Sequence, residues 1–288
     1  MLAVFKRELR SYFTGIIGYI FCFILLLIVG VYTYFHNING YNVTFEVTIG
    51  TSSYLFLMLA VPVLSMRVLA EERRQNTDKL LYSLPLSSFH IVVAKYLAMI
   101  AVFLVPVITL CAYPLILSRY GAVSLITCYS ALLAFFLLGS AMLAVGMFMS
   151  SLTDNQLIAA VLTFAVIVTN YFISGYASGI SGTAETSMLA LSCLIGALGI
   201  VVFMMTGGVA LAAAVAVVCE GTLAAVYVFK RAWLENLVYR MAMAISAFKR
   251  LNVFVNDLFD VTGVVFYLTI AALFVFFTVQ SFEKRRWS

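Results

Sequence analysis

Charge is what this sequence has least of. Its 288 residues carry 12 acidic and 17 basic groups, and 64% of them are hydrophobic, whereas soluble domains run at roughly 45–50% apolar and 25% charged. That balance argues against a water-soluble fold. Histidine is nearly absent as well, with His36 and His90 standing alone. The five cysteines, Cys22, Cys111, Cys128, Cys193 and Cys219, are scattered singly through apolar runs without CxxC or Cys/His spacing, so they read as packing residues and no metal site is expected. HExxH and a Ser/His/Asp set are also missing, which argues against a membrane-embedded enzyme. No GxxxxGK[ST] phosphate loop occurs, and no polar stretch is long enough to fold a nucleotide-binding domain, so the chain is not expected to hydrolyse ATP itself.

What the sequence has instead is length without charge. The runs Ser11 to Phe45, Tyr96 to Ser118, Tyr120 to Thr153, Asn155 to Ala184, Thr186 to Cys219 and Val261 to Phe282 each reach or exceed the ~20 residues that cross a bilayer as a helix. The period-2 alternation of a membrane barrel is missing, and a run such as FCFILLLIVGV satisfies its backbone hydrogen bonds in lipid only as a helix. The expected class is an all-α polytopic membrane protein, a single transmembrane domain over 1–288. The opening KRELR and its apolar run exceed the 7–15 residues of a signal-peptide core, so the run reads as the first permanent span.

About eight spans are expected, near 16–35, 52–69, 96–117, 123–149, 156–176, 187–206, 209–229 and 263–282. Residues 1–15 place Leu2, Phe5, Leu9, Tyr12 and Phe13 on one face of a helix lying in the membrane interface. Short loops rich in Lys and Arg stay cytoplasmic, which puts the amino terminus and the loop at 70–95 inside. A seven-span arrangement would bring Lys230, Arg231, Arg240, Lys249 and Arg250 inside but would export the EKRR tail. It would also compress a basic-free segment containing the Gly207-Gly208 pair, suited to a tight turn, into one span. Eight spans with both termini cytoplasmic are preferred, with an extra hairpin expected at 187–229 and the last span and basic tail at 263–288. Residues 230–262 form an outer amphipathic segment, with apolar residues from Leu234 to Leu258 at three- and four-residue steps. Trp233 and Trp287 are expected to anchor in the headgroup layer.

Within the loop, Glu71, Glu72, Arg73, Arg74, Asp78 and Lys79 crowd together, followed by the apolar edge Leu80, Leu81 and Tyr82. Good helix formers and both charge signs permit a helix-turn that docks on another protein; a solvated connector is the plainer alternative. Glu220 is the one acidic side chain placed well inside a predicted span. Such a group costs about 2.5–3.5 kcal/mol on insertion scales and should face protein or water, unless the span ends before it. Gly139, Ser140 and Gly146 lie on a face of the fourth span where small side chains permit close helix approach.

The run VPVLSMRVLAEERRQNTDKLLYSLPLSSFHIVVAKYLA resembles the loop between the second and third spans of type-2 ABC transporter permeases, particularly the gliding-motility-type branch. The matching positions are Ala70 to Arg73, Thr77, Leu80 with Leu81, Leu84-Pro85 and Lys95. SSLTDNQLIAAVLTF, Ser150 to Phe164, is similar to that family's turn between spans four and five, and FDVTGVVFYLTIAALFVFFTVQSFEKRRW, Phe259 to Trp287, to its terminal span. The family usually has six spans, so the hairpin at 187–229 departs from its pattern.

The resemblance implies a permease subunit in a bacterial plasma membrane, moving an unidentified substrate, by export, with ATP and Mg bound in separate ATPase subunits. Its partners are those ATPases, a second permease copy or a related one, and the bilayer; nucleic acid is not among them. Glu71, Glu72, Arg73, Arg74, Asp78, Leu80, Leu81 and Tyr82 would form the coupling helix, its charges pairing in the ATPase cleft, and Thr153, Asp154 and Asn155 a second cytoplasmic contact. An ion-gradient transporter is the alternative, although such proteins place several ionisable groups near the midplane and here only Glu220 qualifies. A non-transporting scaffold subunit is a third.

Overall fold

The computed structural model describes residues 1–42, 44–75, 87–179, 183–193, 195, 217–224, 227, 231–256 and 259–287. Among them no strand occurs, as the apolar runs require. Six helices of the described residues are long and apolar enough to cross a membrane: Ile17–Ile38, Phe45–Arg74, Ser88–Leu117, Leu125–Leu152, Gln156–Ile173 and Val261–Lys284. They coincide with six of the eight expected spans. The other two fall on the extra hairpin, much of which, including 194, 196–216, 225–226 and 228–229, lies outside the described residues.

The chain divides into two compact units, Met1–Thr169 with Ala247–Ser288, and Asn170–Ser246. In the first, α1 (Leu2–Thr14) precedes α2 (Ile17–Tyr32), which continues as a π-helical turn over Thr33–Ile38. Next come α3 (Phe45–Ser65), the short α4 (Ala70–Arg74), α5 (Ser88–Leu110) and α6 (Ala112–Leu117). The central helix is α7 (Leu125–Leu152), with 72% of its apolar window buried; α8 (Gln156–Gly179) follows it with 17% over Gln156–Ile173. Small residues make α7 the hub. A Cβ on Gly139 would overlap the Phe103 ring of α5, and one on Gly146 would overlap Ser65 of α3. The sequence's small-residue face is therefore used for packing. Around it Phe21, Phe56, Phe103 and Phe135 interlock, with neighbouring ring centroids 5.5 to 6.0 Å apart. In lipid such packing, rather than release of water, holds helices together.

The amphipathic segment forms two helices, α10 (Leu237–Ile245) and α11 (Ala247–Val255), after the short α9 (Arg231–Leu234). Expected along the outer surface, α11 leans into the first unit, burying Ala247, Phe248, Leu251 and Phe254. Tyr54 donates to Asn252 at 2.8 Å and Tyr267 to the Ala247 carbonyl at 2.9 Å. Val255 sits over Gly50, where an added Cβ would approach to 2.9 Å. The last helix, α12 (Val261–Trp287), starts where Asp260 accepts from the Thr262 and Gly263 amides.

The second unit contains helical residues 184–193 and 217–224 together with α9 and α10. Ala184, Leu223 and Leu234 form its buried cluster, and Arg231 pairs with Glu185 at 2.8 Å on its surface.

Within the first unit α1, the end of α3 and the end of α12 lie together, since Glu8 meets Glu72's partners and Ser281 donates to the Ser151 carbonyl at 3.2 Å. The first helix to cross leaves this end and the last returns to it.

Candidate functional site

The charged loop begins at a break in the second span. Pro62 lies in the last turn of α3, and the helix stops at Ser65. Residues 66–69 form turns before α4 starts, which leaves backbone groups in need of partners. Ser150 of α7, fully buried, supplies them: its hydroxyl accepts from the Leu69 and Ala70 amides at 3.2 and 3.1 Å and donates to the Met66 carbonyl at 3.1 Å. The break is thereby a built joint, closed by one side chain of another span.

The short α4 has Glu71 and Glu72 in its first turn and Arg73 and Arg74 in its last, the order that complements the helix dipole. Its one turn divides these four charges. Arg73 points inward, with only 4% of its side chain exposed, and donates to the Ser151 carbonyl with Asp154 3.9 Å away. Glu72 also turns toward the bundle, pairing with Lys95 of α5 at 2.8 Å and Arg7 of α1 at 2.9 Å. Glu71 pairs with Arg67 at 2.6 Å, one turn earlier, and accepts from Gln75 at 3.2 Å. Arg74 and Gln75 are exposed.

Lys95 is the centre of this arrangement, its side chain 1% exposed. Its ammonium carries three protons and meets three acceptors: Glu72 at 2.8 Å, Glu8 at 3.2 Å and the Val68 carbonyl at 3.1 Å. Arg7 bridges the same two carboxylates, 2.7 Å from Glu8 and 2.9 Å from Glu72. Two cations and two anions leave no net charge, the condition under which buried ions are tolerated. Burial alone would push the Glu8 carboxyl up; Lys95 and Arg7 outweigh it and hold Glu8 below the ordinary carboxylate range. Beside the cluster a polar recess of about 320 Å³ is lined by Arg7, Ser11, Tyr12, Arg67, Glu71 and Gln75, among others.

Of the residues expected to carry coupling, Glu71, Glu72, Arg73 and Arg74 are thus at the root of the loop, the first three of them with partners within the chain. Asp78, Leu80, Leu81 and Tyr82 lie outside the described residues. Thr153, Asp154 and Asn155 are brought beside Arg73; Asn155 caps α8 by accepting from the Leu157 amide at 2.9 Å, and Thr153 accepts from the Asn155 amide at 3.2 Å. Glu220 sits half-buried in the helical stretch 217–224 of the second unit.

Glu8, Arg7 and Ser150 went unread in the sequence. The signal for Glu8 is present: the residues of α1 turned to the bundle are Val4, Glu8 and Tyr12, spaced by four, so that of the expected stripe of Leu2, Phe5, Leu9, Tyr12 and Phe13 it is Tyr12 that is buried. Among the described residues no group of three His, Cys, Asp or Glu side chains could hold a metal. The arrangement ties residues 66–75, at the root of the charged loop, to three different helices, α1, α5 and α7.

A family model described as ABC-2 family transporter protein matches residues 2–189, from α1 through the charged loop and past the end of α8. No curated protein and no solved structure matches the chain.

Proposed function

Because the chain belongs to the ABC-2 transporter family and is a membrane permease of that kind, we propose that it is driven through the loop at 71–82 by separate ATPase subunits. The observation that carries this reading is the ionic and hydrogen-bonded root of the loop. A push on an exposed segment moves spans only if the segment is rigidly joined to them. Here Ser150 and Arg73 join it to α7, and Glu72 joins it to α5. Arg74, Gln75 and the residues that follow carry the contact with the ATPase, whereas Glu72 and Arg73 hold the loop in place. Thr153 to Asn155 form the neighbouring contact.

In this reading two permease copies, or one with a related permease, are gripped by two ATPase subunits that bind ATP and Mg. ATP-driven closure of the ATPases displaces the loop and tilts the attached spans as rigid bodies. The loop and both termini face the cytoplasm of a bacterium, the direction of movement is export, and the chain falls in the gliding-motility-type branch. The pattern of AEER, Thr77, Leu80-Leu81 and Lys95 supports that branch.

The test is purification of the chain with its ATPase and measurement of ATP hydrolysis. Arg74→Glu together with Asp78→Lys is expected to lower copurification and turnover severalfold without changing the permease's own thermal midpoint. Unchanged assembly and turnover would remove the coupling assignment.

A further inference from the structure

The amino-terminal helix is tied to the loop more tightly than a membrane-surface helix needs to be. Only Val4 and Tyr12 of α1 are buried apolar residues, yet Glu8 and Arg7 enter a cluster that closes on the loop root. Lys95 has as many acceptors as protons, and they come from α1, α4 and the turn between α3 and α4. Displacing any one of the three strips a buried ammonium or carboxylate of its partner, which is strongly unfavourable when water cannot replace it. Arg7 makes a second, independent tie between Glu8 and Glu72. The elements therefore move together or the cluster breaks.

Beyond α1 the chain passes through Gly15, which is extended with φ −87° and ψ 168°, and enters α2 after one further residue. A Cβ at Gly18 would lie 2.7 Å from the Tyr12 carbonyl. The junction is thus short and closely packed, and a shift of α1 is delivered to the first span.

We propose that Glu8 and Lys95 are positioning residues that make α1 and the first span part of the moving element, so that displacement of the loop root 66–75 is carried to α1 through the four-charge cluster. This rests on the coupling reading above and extends it from the second and third spans to the first. The membrane-surface helix is then a lever, with Lys6 and Arg10 exposed along it.

Hydrogen–deuterium exchange on the full chain in complex with its copurifying ATPase, with and without ATP and vanadate, tests this. In the wild type, peptides covering 2–14 and 66–75 are expected to change exchange together. Glu8→Gln keeps Lys95 on Glu72 and Val68 and Arg7 on Glu72; it is expected to abolish the response of 2–14 while 66–75 still responds, and Glu8→Asp is expected to restore it. The thermal midpoint, followed in parallel, separates lost transmission from lost folding. A wild-type response at 66–75 with none at 2–14 overturns the inference and leaves the coupling reading standing. So does an undiminished response of 2–14 in both Glu8→Gln and Lys95→Gln. Absence of response at both segments overturns both readings.

Discussion

The two ends of the first unit are closed by different chemistry. At one end, where the charged loop begins, the ties are ionic: Lys95 and Arg7 each hold Glu8 and Glu72, and Arg73 reaches across to Ser151. At the other end the turn between α2 and α3 is tied by neutral groups. Thr48 donates to Asn37 at 2.6 Å and contacts His36 at 3.2 Å, and Asn37 donates to the Asn42 carbonyl at 2.9 Å. A neutral hydrogen bond contributes about 0.5–1.5 kcal/mol net and can be exchanged for another. A buried ion pair adds little net stability, yet losing one partner costs about 3–5 kcal/mol. The ionic end is therefore poor glue but a stiff linkage, the property that the proposed coupling requires of it.

The comparison is broken most severely by Lys95→Met, which leaves Glu8 and Glu72 buried with only Arg7 between them. A loss of about 3–5 kcal/mol is expected, seen as a large drop in thermal midpoint or in detergent-soluble yield; a near-neutral result would mean that the cluster admits water.

Gly139→Ala comes next. It forces Phe103 aside between the two ends and is expected to cost about 1–3 kcal/mol by overpacking. Its effect on thermal stability should not depend on whether the ATPase is bound. Ser150→Ala leaves the Leu69 and Ala70 amides without their acceptor, for about 1–3 kcal/mol. Its distinguishing readout is faster amide exchange confined to 66–75.

Thr48→Val, at the neutral end, is expected to cost only about 1 kcal/mol and to leave ATP turnover of the complex unchanged. Loss of coupling in that variant would erase the distinction between the ends. Smallest of all is Arg231→Ala in the second unit, whose pair with Glu185 is more than half exposed on both sides. Such surface pairs contribute about 0–1 kcal/mol, and denaturation should barely register the change.

Much of the fold was legible because run length alone identifies a lipid-crossing helix, and six of the expected spans recur with shifted ends. The shifts have causes. The second span begins at Phe45 rather than near 52 because Thr48 and Ser52 return their hydroxyls to partners within the bundle. The third begins at Ser88 because Ser87 caps it. The three- and four-residue spacing over 234–258 marked helices there, but period alone does not say whether their apolar face meets lipid or, as for Phe248 and Phe254, other helices.

The site was half legible. Position in a charge-rich loop singled out Glu71 to Arg74 and assigned all four to contact with a partner protein, because an otherwise apolar chain offers charges few other places to go. Glu72 and Arg73 have partners in the chain that are distant in sequence, at Arg7, Lys95 and Ser151. Nothing local in EERR reveals them. Glu8, inside KRELR, looks like one more interfacial charge until its alignment with Val4 and Tyr12 is noticed.

The most direct test of coupling is cysteine cross-linking from the exposed Arg74 and from Asp78, each changed singly to cysteine in a chain whose five native cysteines are replaced, in the complex with the copurifying ATPase. The account predicts a covalent permease–ATPase product from at least one position, with a yield that changes when ATP and vanadate are added. A complex that hydrolyses ATP yet gives no product from either position would contradict it.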